Sequence, residues 1–124
     1  VDLRHQVLQH RRRRNGEDHP RHSGEDPAES FNRCAAHVVH AHFKDWKQLP
    51  DGQGRRMLNG GWYTPALIGE GAVDQRACLK AMMDAGYDGF INIEYEGNDY
   101  PPDQAVRQAV AYLRELMEEI RAEG

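Results

Sequence analysis

Two short segments of this chain alternate polar and apolar side chains, and this pattern limits the folds that the chain can adopt. Successive side chains of a strand point to opposite sides. In residues 38–46 (VVHAHFKDW) one strand face therefore carries His40, His42 and Lys44. The opposite face is apolar and consists of Val39, Ala41 and Phe43. Because polar groups are costly to bury without partners, we expect the polar face to look into a site.

The segment 90–97 (FINIEYEG) repeats this design with carboxylates. Asn92, Glu94 and Glu96 share one strand face. The other face consists of Ile91, Ile93 and Tyr95. Two such strands in a chain of 124 residues predict a polar or metal-containing cavity that both strands line.

Helical and extended segments alternate along the chain. Asp26 and Pro27 are typical of a helix start. The expected order is a helix from residue 27, a strand at 38–44, a polar loop at 45–64, a short buried strand at 65–71, a helix capped by Asp74 and ended by Gly86, a strand at 90–95 and a long amphipathic helix after Pro102. This order indicates parallel strands with right-handed crossovers.

The polar strand faces distinguish between two kinds of α/β fold. In an open doubly wound sheet both faces of each strand meet helices and are apolar, whereas a barrel can hold polar side chains in its lumen. A (β/α)₈ barrel needs about 250 residues, and three strand–helix units are counted here. We therefore predict the C-terminal part of a truncated (β/α)₈ TIM barrel, with an eroded or irregular segment at 1–24 and the half-barrel at 25–124.

Composition excludes several classes of function. The net charge of −4 does not suit a polyanion-binding protein, and the run from Arg11 to Arg14 is interpreted as a solvated segment. No stretch approaches the roughly 18 apolar residues of a membrane span, and no signal peptide is visible. Cys34 and Cys78 lack metal or redox spacing and are interpreted as reduced packing thiols. We expect a cytoplasmic protein that binds neither nucleic acid nor membrane.

Five segments in a fixed order carry a family resemblance. They are GEDPAES, VVHAHFKDW, ALIGEGAVD, AGYDGFINIEYEG and AVRQAVAYLREL. From about Gly24 onward the chain resembles the sugar phosphate isomerase/epimerase family with its xylose isomerase-like TIM barrel, which includes ketose 3-epimerases, hydroxypyruvate isomerases and inosose dehydratases. PALIGEG and INIEYEGNDYPP also resemble barrel subunits of enzymes that act on 3-keto-glycosides and cleave C-glycosides.

The resemblance implies one divalent metal ion at the C-terminal mouth of the barrel. Mn²⁺ is favoured, with Mg²⁺ or Co²⁺ as alternatives. The ligand His at the end of the sixth strand corresponds to His42, and the Glu of the last strand corresponds to Glu94. Oxygen ligands with one imidazole suit such ions. The family's first Glu would precede Val1, so this chain does not supply it.

The family's Asp ligand comes from the strand before, often in a D-x-x-H pattern. Asp2 with His5 fits that spacing. The spacing between Asp18 and His22 is one residue longer than this pattern. Asp2 is therefore the expected third metal ligand, and His5 is an expected substrate contact.

The implied reaction is proton transfer next to a carbonyl of a sugar or keto-sugar, through an enediolate. Glu94 would remove and return the proton, and Lys44 would bind a hydroxyl or stabilise an oxyanion. His40, Glu70 and Trp46 are further candidate substrate contacts. Each candidate has a structural alternative. These are a satisfied core histidine for His40, a turn carboxylate for Glu70, a loop anchor for Trp46, an ion pair with Lys44 for Glu94, and a strand-end pair with Asp45 for Lys44.

Three other functions stay open at this point. The chain is alternatively a non-catalytic half-barrel that acts as a homo-oligomer or with a partner subunit. It is alternatively a lyase or C-glycoside-cleaving barrel subunit acting on 3-keto-glycosides. A metal-dependent phosphodiesterase acting on DNA is disfavoured by the acidic net charge. We expect the chain by itself to be weakly active or inactive, because part of a complete pocket wall is absent.

Overall fold

The computed structural model describes residues 26–124. Asp2, His5, Asp18, His22 and the predicted N-terminal segment lie outside the described residues. The described elements are α1 (Pro27–Cys34), a 3-10 helix (Ala35–His37), β1 (His40–Phe43), β2 (Asp45–Leu49), β3 (Arg55–Arg56), β4 (Trp62–Ala66), α2 (Gln75–Asp84), β5 (Phe90–Ile93) and α3 (Pro102–Glu123).

The two strands with polar faces pair directly with each other. β1 and β5 are parallel, with His42 opposite Asn92 in the register. The ladder continues one residue further, since the Glu94 N–H donates to the Phe43 carbonyl at 2.8 Å. The predicted parallel arrangement with outer helices is therefore confirmed, and the chain has a partial α/β fold of the kind found in a truncated barrel.

The region predicted as a polar loop at 45–64 is folded instead, so that prediction was wrong. β2, β4 and β3 form a three-stranded antiparallel sheet in that order. Its connections use glycines with positive φ, namely Gly52, Gly54 and Gly60, a conformation that glycine adopts readily. The glycines that suggested a loop lie in the connections between the strands of this small sheet.

The strand predicted at 65–71 was also wrong. β4 ends at Ala66, and it pairs with β2 and β3 rather than with the parallel sheet. Leu67 and Ile68 are buried in the core outside any strand. No strand within residues 26–124 separates β1 from β5. The strand that carries His42 is therefore the immediate neighbour of the last strand, and the described residues form two parallel strand–helix units rather than three.

The helices begin where the sequence predicts. The Asp26 carboxylate accepts from the Glu29 N–H at 2.9 Å, and the Asp74 carboxylate accepts from the Ala77 N–H at 2.9 Å. Such caps satisfy N–H groups that have no partner inside a helix. No helix within residues 26–124 is long and apolar enough to cross a membrane.

The core lies between the three helices and one face of the parallel sheet. Its buried members include Phe31, Ala41, Phe43, Leu79, Met82, Ala109, Leu113, Leu116 and Ile120. Val39 was expected on the apolar face, but it precedes β1 and is 69% exposed. Phe90, at the start of β5, is 80% exposed. Val39 thus lies outside the packed part of the apolar face, whereas Phe90 lies on the opposite strand face, together with Asn92.

Both cysteines are free thiols, as the sequence predicts. Burial raises the pKa of the Cys78 thiol to about 12. Burial also raises the pKa of the Cys34 thiol, which donates to the Ser30 carbonyl at 3.2 Å. Neither thiol is activated for nucleophilic chemistry, which requires a lowered pKa.

One buried carboxylate joins the end of the polar strand to the loop before α2. Asp45 is 1% exposed, and it accepts from the backbone N–H groups of Trp46, Gly69, Gly71 and Val73 at 2.8–3.1 Å. Burial raises the pKa of this carboxyl, and the four donors oppose the shift by stabilising its ionised form. Asp45 therefore fixes where the chain goes after β1.

Replacing Asp45 by Asn is expected to destabilise the fold. An amide puts an NH₂ group where a carboxylate oxygen accepts, so buried N–H donors lose their partner, at a cost of about 2–4 kcal/mol in the free energy of unfolding. Urea denaturation of Asp45→Asn measures this loss. Asp51→Asn, a change at an exposed turn residue, is the matched control, and equal stability of the two variants would contradict the role given to Asp45.

Candidate active site

The polar faces of β1 and β5 bring an imidazole and a carboxylate together. His42 Nδ1 lies 3.5 Å from Glu94 Oε2, with side-chain exposures of 25% and 19%. His42 belongs to β1, and Glu94 follows the last residue of β5 directly. The predicted convergence of these two side chains is therefore present, at the carboxyl ends of parallel strands. In barrels and open α/β sheets this is the end that carries the sites.

A buried ammonium holds the other oxygen of Glu94. Lys44 Nζ lies 2.9 Å from Glu94 Oε1 and 3.2 Å from Glu96 Oε2. The Lys44 side chain is only 4% exposed, whereas that of Glu96 is 41% exposed. The backbone carbonyl of Lys44 accepts from the buried Gln75 amide at 3.2 Å. The ion pair with Lys44 that the sequence offered as the alternative for Glu94 thus exists, and it orients Glu94 toward His42.

One ammonium is shared by two carboxylates. Lys44 donates to both Glu94 and Glu96.

A second imidazole extends the group along the strand. His40 Nε2 lies 3.1 Å from His42 Nε2, and the rings meet edge to face with centroids 5.0 Å apart. The Asn92 side-chain nitrogen lies 3.0 Å from His40 Nε2. His40 therefore touches His42 directly, and Asn92 touches His40.

Glu70 lies in a different environment. It is exposed, and its carboxylate accepts from the Tyr100 hydroxyl at 2.8 Å. The hydrogen bond to Glu70 is the main cause that raises the pKa of Tyr100. This contact links the loop after β4 to the loop after β5. The contacts of Glu70 are thus with the rim of the site rather than with His42 or Glu94.

Trp46 is an interior residue. Its side chain is 1% exposed, and the Arg55 guanidinium lies 5.3 Å from its ring centre in a cation–π contact. Lys47, the next residue, pairs with Asp99 at 3.0 Å and ties the antiparallel sheet to the loop after β5. The interpretation of Trp46 as a substrate contact is replaced by that of a loop anchor, because its buried ring offers no face to a ligand.

Two members of the group carried no expected role in the sequence. Asn92 lies on the same strand face as Glu94, so the alternation placed it correctly without indicating its partner. Its contact with His40 depends on a diagonal reach across the strand pair, since Asn92 is opposite His42 in the register. Asp45, considered as a strand-end partner of Lys44, instead accepts from backbone N–H groups that no sequence pattern reveals.

A family assignment follows from comparison with known proteins. The profile described as "Xylose isomerase-like TIM barrel" matches residues 7–116, which is most of the chain. The chain belongs to this family. The fold and the resemblance expected from the sequence are thereby confirmed.

Individual relatives agree with the family assignment. The chain is 34% identical to inosose dehydratase of Lacticaseibacillus casei, in an alignment that covers 60% of this chain and 26% of that protein. Two solved structures share its fold. A xylose isomerase domain protein from Planctomyces limnophilus has a TM-score of 0.62 at 21% identity and matches 98% of this chain. A xylose isomerase-like TIM barrel protein from Mycobacterium smegmatis, solved in complex with magnesium, has a TM-score of 0.59 at 16% identity and matches 77% of this chain.

The chain is shorter than these relatives. It spans 26% of the dehydratase, and 36% and 29% of the two solved chains. The two parallel strands of residues 26–124 thus correspond to part of an eight-stranded barrel.

A divalent cation, which the family resemblance implies, fits the described residues only in part. The 3.5 Å separation of His42 Nδ1 and Glu94 Oε2 is wider than the spacing of about 3.0 Å between adjacent ligands of an octahedral ion with bonds of about 2.1 Å. Within residues 26–124, no group of three or more His, Cys, Asp or Glu side chains is arranged to hold a metal ion. The described residues thus supply two candidate ligands, His42 and Glu94.

Removing the Lys44 ammonium is expected to destabilise the protein. Lys44→Met leaves the partly buried Glu94 without its cation, and we expect a loss of about 1–3 kcal/mol, below the value for fully buried pairs because both carboxylates keep some solvent. Chemical denaturation measures the loss. The double variant Lys44→Met/Glu94→Gln should recover part of it.

Lys80→Met is the matched control for this prediction. Lys80 forms an exposed pair with Asp84 one helical turn away, so its loss should change stability by less than about 0.5 kcal/mol. Equal effects of the two lysine substitutions would show that the Lys44 pair does not organise the site.

Proposed function

We propose that this protein carries the C-terminal half of a metal-dependent active site for sugar or keto-sugar isomerisation or epimerisation. The reaction would be the removal and return of a proton on the carbon next to a carbonyl, through an enediolate. The observation that supports this most is the position of Glu94, whose two oxygens are directed to different partners, His42 and Lys44.

Glu94 is the proposed base. Its contact with Lys44 fixes the orientation of the carboxylate. The side chain of Glu94 is 19% exposed, so it is partly shielded from water but still accessible to solvent. A positioned carboxylate of this kind accelerates proton transfer by about 10²–10⁴-fold.

Lys44 is the proposed stabiliser of developing negative charge. Its ammonium is buried and held by two carboxylates, so it is already oriented before a substrate binds. A preorganised cation of this kind stabilises an oxyanion without further reorganisation. Of the two carboxylates that contact Lys44, that of Glu96 is the more exposed. We propose that a substrate oxygen replaces the Glu96 carboxylate beside the ammonium.

Within the range 26–124, His42 and Glu94 would hold the divalent ion. Mn²⁺ is the favoured ion, with Mg²⁺ and Co²⁺ as alternatives, and Asp2 is the proposed third ligand from this chain. When bound, such an ion supplies Lewis-acid polarisation of a carbonyl oxygen.

Elimination of water is a second candidate reaction, favoured by the similarity to an inosose dehydratase. Elimination next to a ketone begins with the same proton removal and differs in the step that follows. Glu94 and Lys44 would therefore have the same roles in both candidate reactions. The fate of the substrate after proton removal separates them.

Exchange of substrate protons with heavy water tests the proposal. Ketohexoses, inososes and 3-keto-glycosides are incubated with the protein and Mn²⁺, and NMR follows deuterium incorporation at the carbon next to the carbonyl. Exchange reports proton removal even where net turnover is slow. We expect exchange above background for one of these classes and a loss of about 10²–10⁴-fold in Glu94→Gln.

The control for this experiment is Glu118→Gln, at an exposed position of α3, which should keep the full exchange rate. An epimer or isomer among the products supports the first candidate, and an unsaturated or dehydrated product supports elimination. Exchange that is absent in all three substrate classes, or unchanged in Glu94→Gln, would contradict the proposal.

A further inference from the structure

Five side chains share one face of the antiparallel sheet. Lys47 is opposite Thr64, and Leu49 is opposite Trp62. On the other side of β4, Arg56 is opposite Trp62 as well. Residues that are directly opposite in an antiparallel pair lie on the same face, as do residues two apart in one strand. The Trp62 face is therefore made of Lys47, Leu49, Arg56, Trp62 and Thr64.

The Trp62 face is directed toward the rim of the candidate active site. Lys47 Nζ pairs at 3.0 Å with Asp99, in the loop after β5. Asp45, two residues earlier on the same side of β2, is held by the loop after β4. Lys47 follows Lys44 by three residues, so their Cα atoms are at most about 11 Å apart. A ligand whose reacting end lies at Lys44 and Glu94 can therefore extend onto this face.

The side chains of the Trp62 face suit a ring that carries an acidic group. Trp62 is half-buried, and an indole offers a flat apolar surface and an N–H donor. Arg56 is its exposed neighbour across the strands, and a guanidinium matches two oxygens of a carboxylate or phosphate. Thr64 adds a hydroxyl. Two members of the face, Lys47 and Arg56, are cationic, and none is acidic.

The ammonium of Lys47 is open to exchange of its partner. The side chains of Lys47 and Asp99 are 41% and 57% exposed, and such exposed ion pairs contribute little to stability. The ammonium of Lys44, in contrast, is buried between its carboxylates. An acidic ligand group can therefore replace Asp99 beside Lys47 at a small cost.

We propose that the Trp62 face is a binding subsite for the second unit of a glycoside, and that this unit carries an acidic group. The second ring would stack on Trp62, with its carboxylate or phosphate between Arg56 and Lys47. The reacting ring would lie at Glu94, and this part of the inference rests on the proposed function. The substrate class is thereby narrowed from sugars and keto-sugars in general to acidic glycosides.

Binding of three matched disaccharides tests the subsite without any need for turnover. Cellobiose is neutral, cellobiouronic acid carries a carboxylate on its second ring, and cellobiose 6′-phosphate carries a phosphate there. The affinity of the full chain for each is measured by calorimetry at low ionic strength, where screening is weak. The variants are Arg56→Gln, Lys47→Gln and Trp62→Leu. Lys80→Gln, at an exposed ion pair of α2, is the matched control.

The expected results form one pattern. At least one acidic disaccharide should bind about 10-fold more tightly than cellobiose, because hydrogen bonds between charged groups are the stronger ones. Arg56→Gln and Lys47→Gln should each reduce this preference and leave the affinity for cellobiose unchanged. Trp62→Leu should weaken the binding of all three disaccharides, and Lys80→Gln should change nothing. The acidic disaccharide that binds more tightly identifies the acidic group.

Three results would overturn the subsite. They are equal affinity for acidic and neutral disaccharides, no binding of any of the three, and a preference for acid that survives both Arg56→Gln and Lys47→Gln. Because Arg56 is exposed, its substitution does not disturb the fold, and it decides the result if Trp62→Leu fails to fold.

Failure of this inference differs from failure of the proposed function. The three results above leave proton exchange on ketohexoses and inososes, and its loss in Glu94→Gln, unaffected. Absent proton exchange in a protein that still prefers acidic disaccharides through Arg56 and Lys47 would contradict the proposed reaction and leave the subsite in place.

Discussion

The pairing of β1 with β5 is the constraint on which the site depends. Because the strands are parallel and His42 lies opposite Asn92, both polar faces point to the same side of the sheet. A shift of the register by one residue would turn one of these faces toward the helices. The packed apolar residues on the opposite face, such as Ala41 and Phe43, exclude that shift. The core therefore fixes the geometry of the site, although no core residue belongs to it.

The position of Lys44 and Glu94 at the ends of these strands follows from the same pairing. Lys44 is the residue at which the chain leaves β1, and the next residue, Asp45, is held by four backbone N–H groups. The antiparallel sheet that begins there is joined to the loop after β5 by Lys47 and Asp99. Glu94 is thus placed between two fixed elements, which explains how a partial barrel can hold an ordered polar group.

The strand alternation was sufficient to predict the convergence of His42 and Glu94, and the caps of Asp26 and Asp74 were sufficient to predict two helix starts. The antiparallel sheet was not predictable in the same way, because its strands are short, mixed in polarity and separated by glycines that also suit a loop. The segment 65–71 looked like a barrel strand because Leu67 and Ile68 are buried, yet burial alone does not distinguish a strand from a packed loop. The contacts of His40 and Asp45 depend on side-chain direction and backbone donors, which a sequence does not show.

We propose that His42 and Glu94 hold one divalent cation together at the carboxyl ends of β1 and β5. The most direct test is pulsed electron paramagnetic resonance of Mn²⁺ bound to protein with nitrogen-labelled histidine. The account predicts a coupling from one histidine nitrogen to the bound ion, its loss in His42→Ala and a loss of Mn²⁺ binding in Glu94→Ala. Full Mn²⁺ binding in both variants, with no histidine coupling in the unchanged protein, would contradict it.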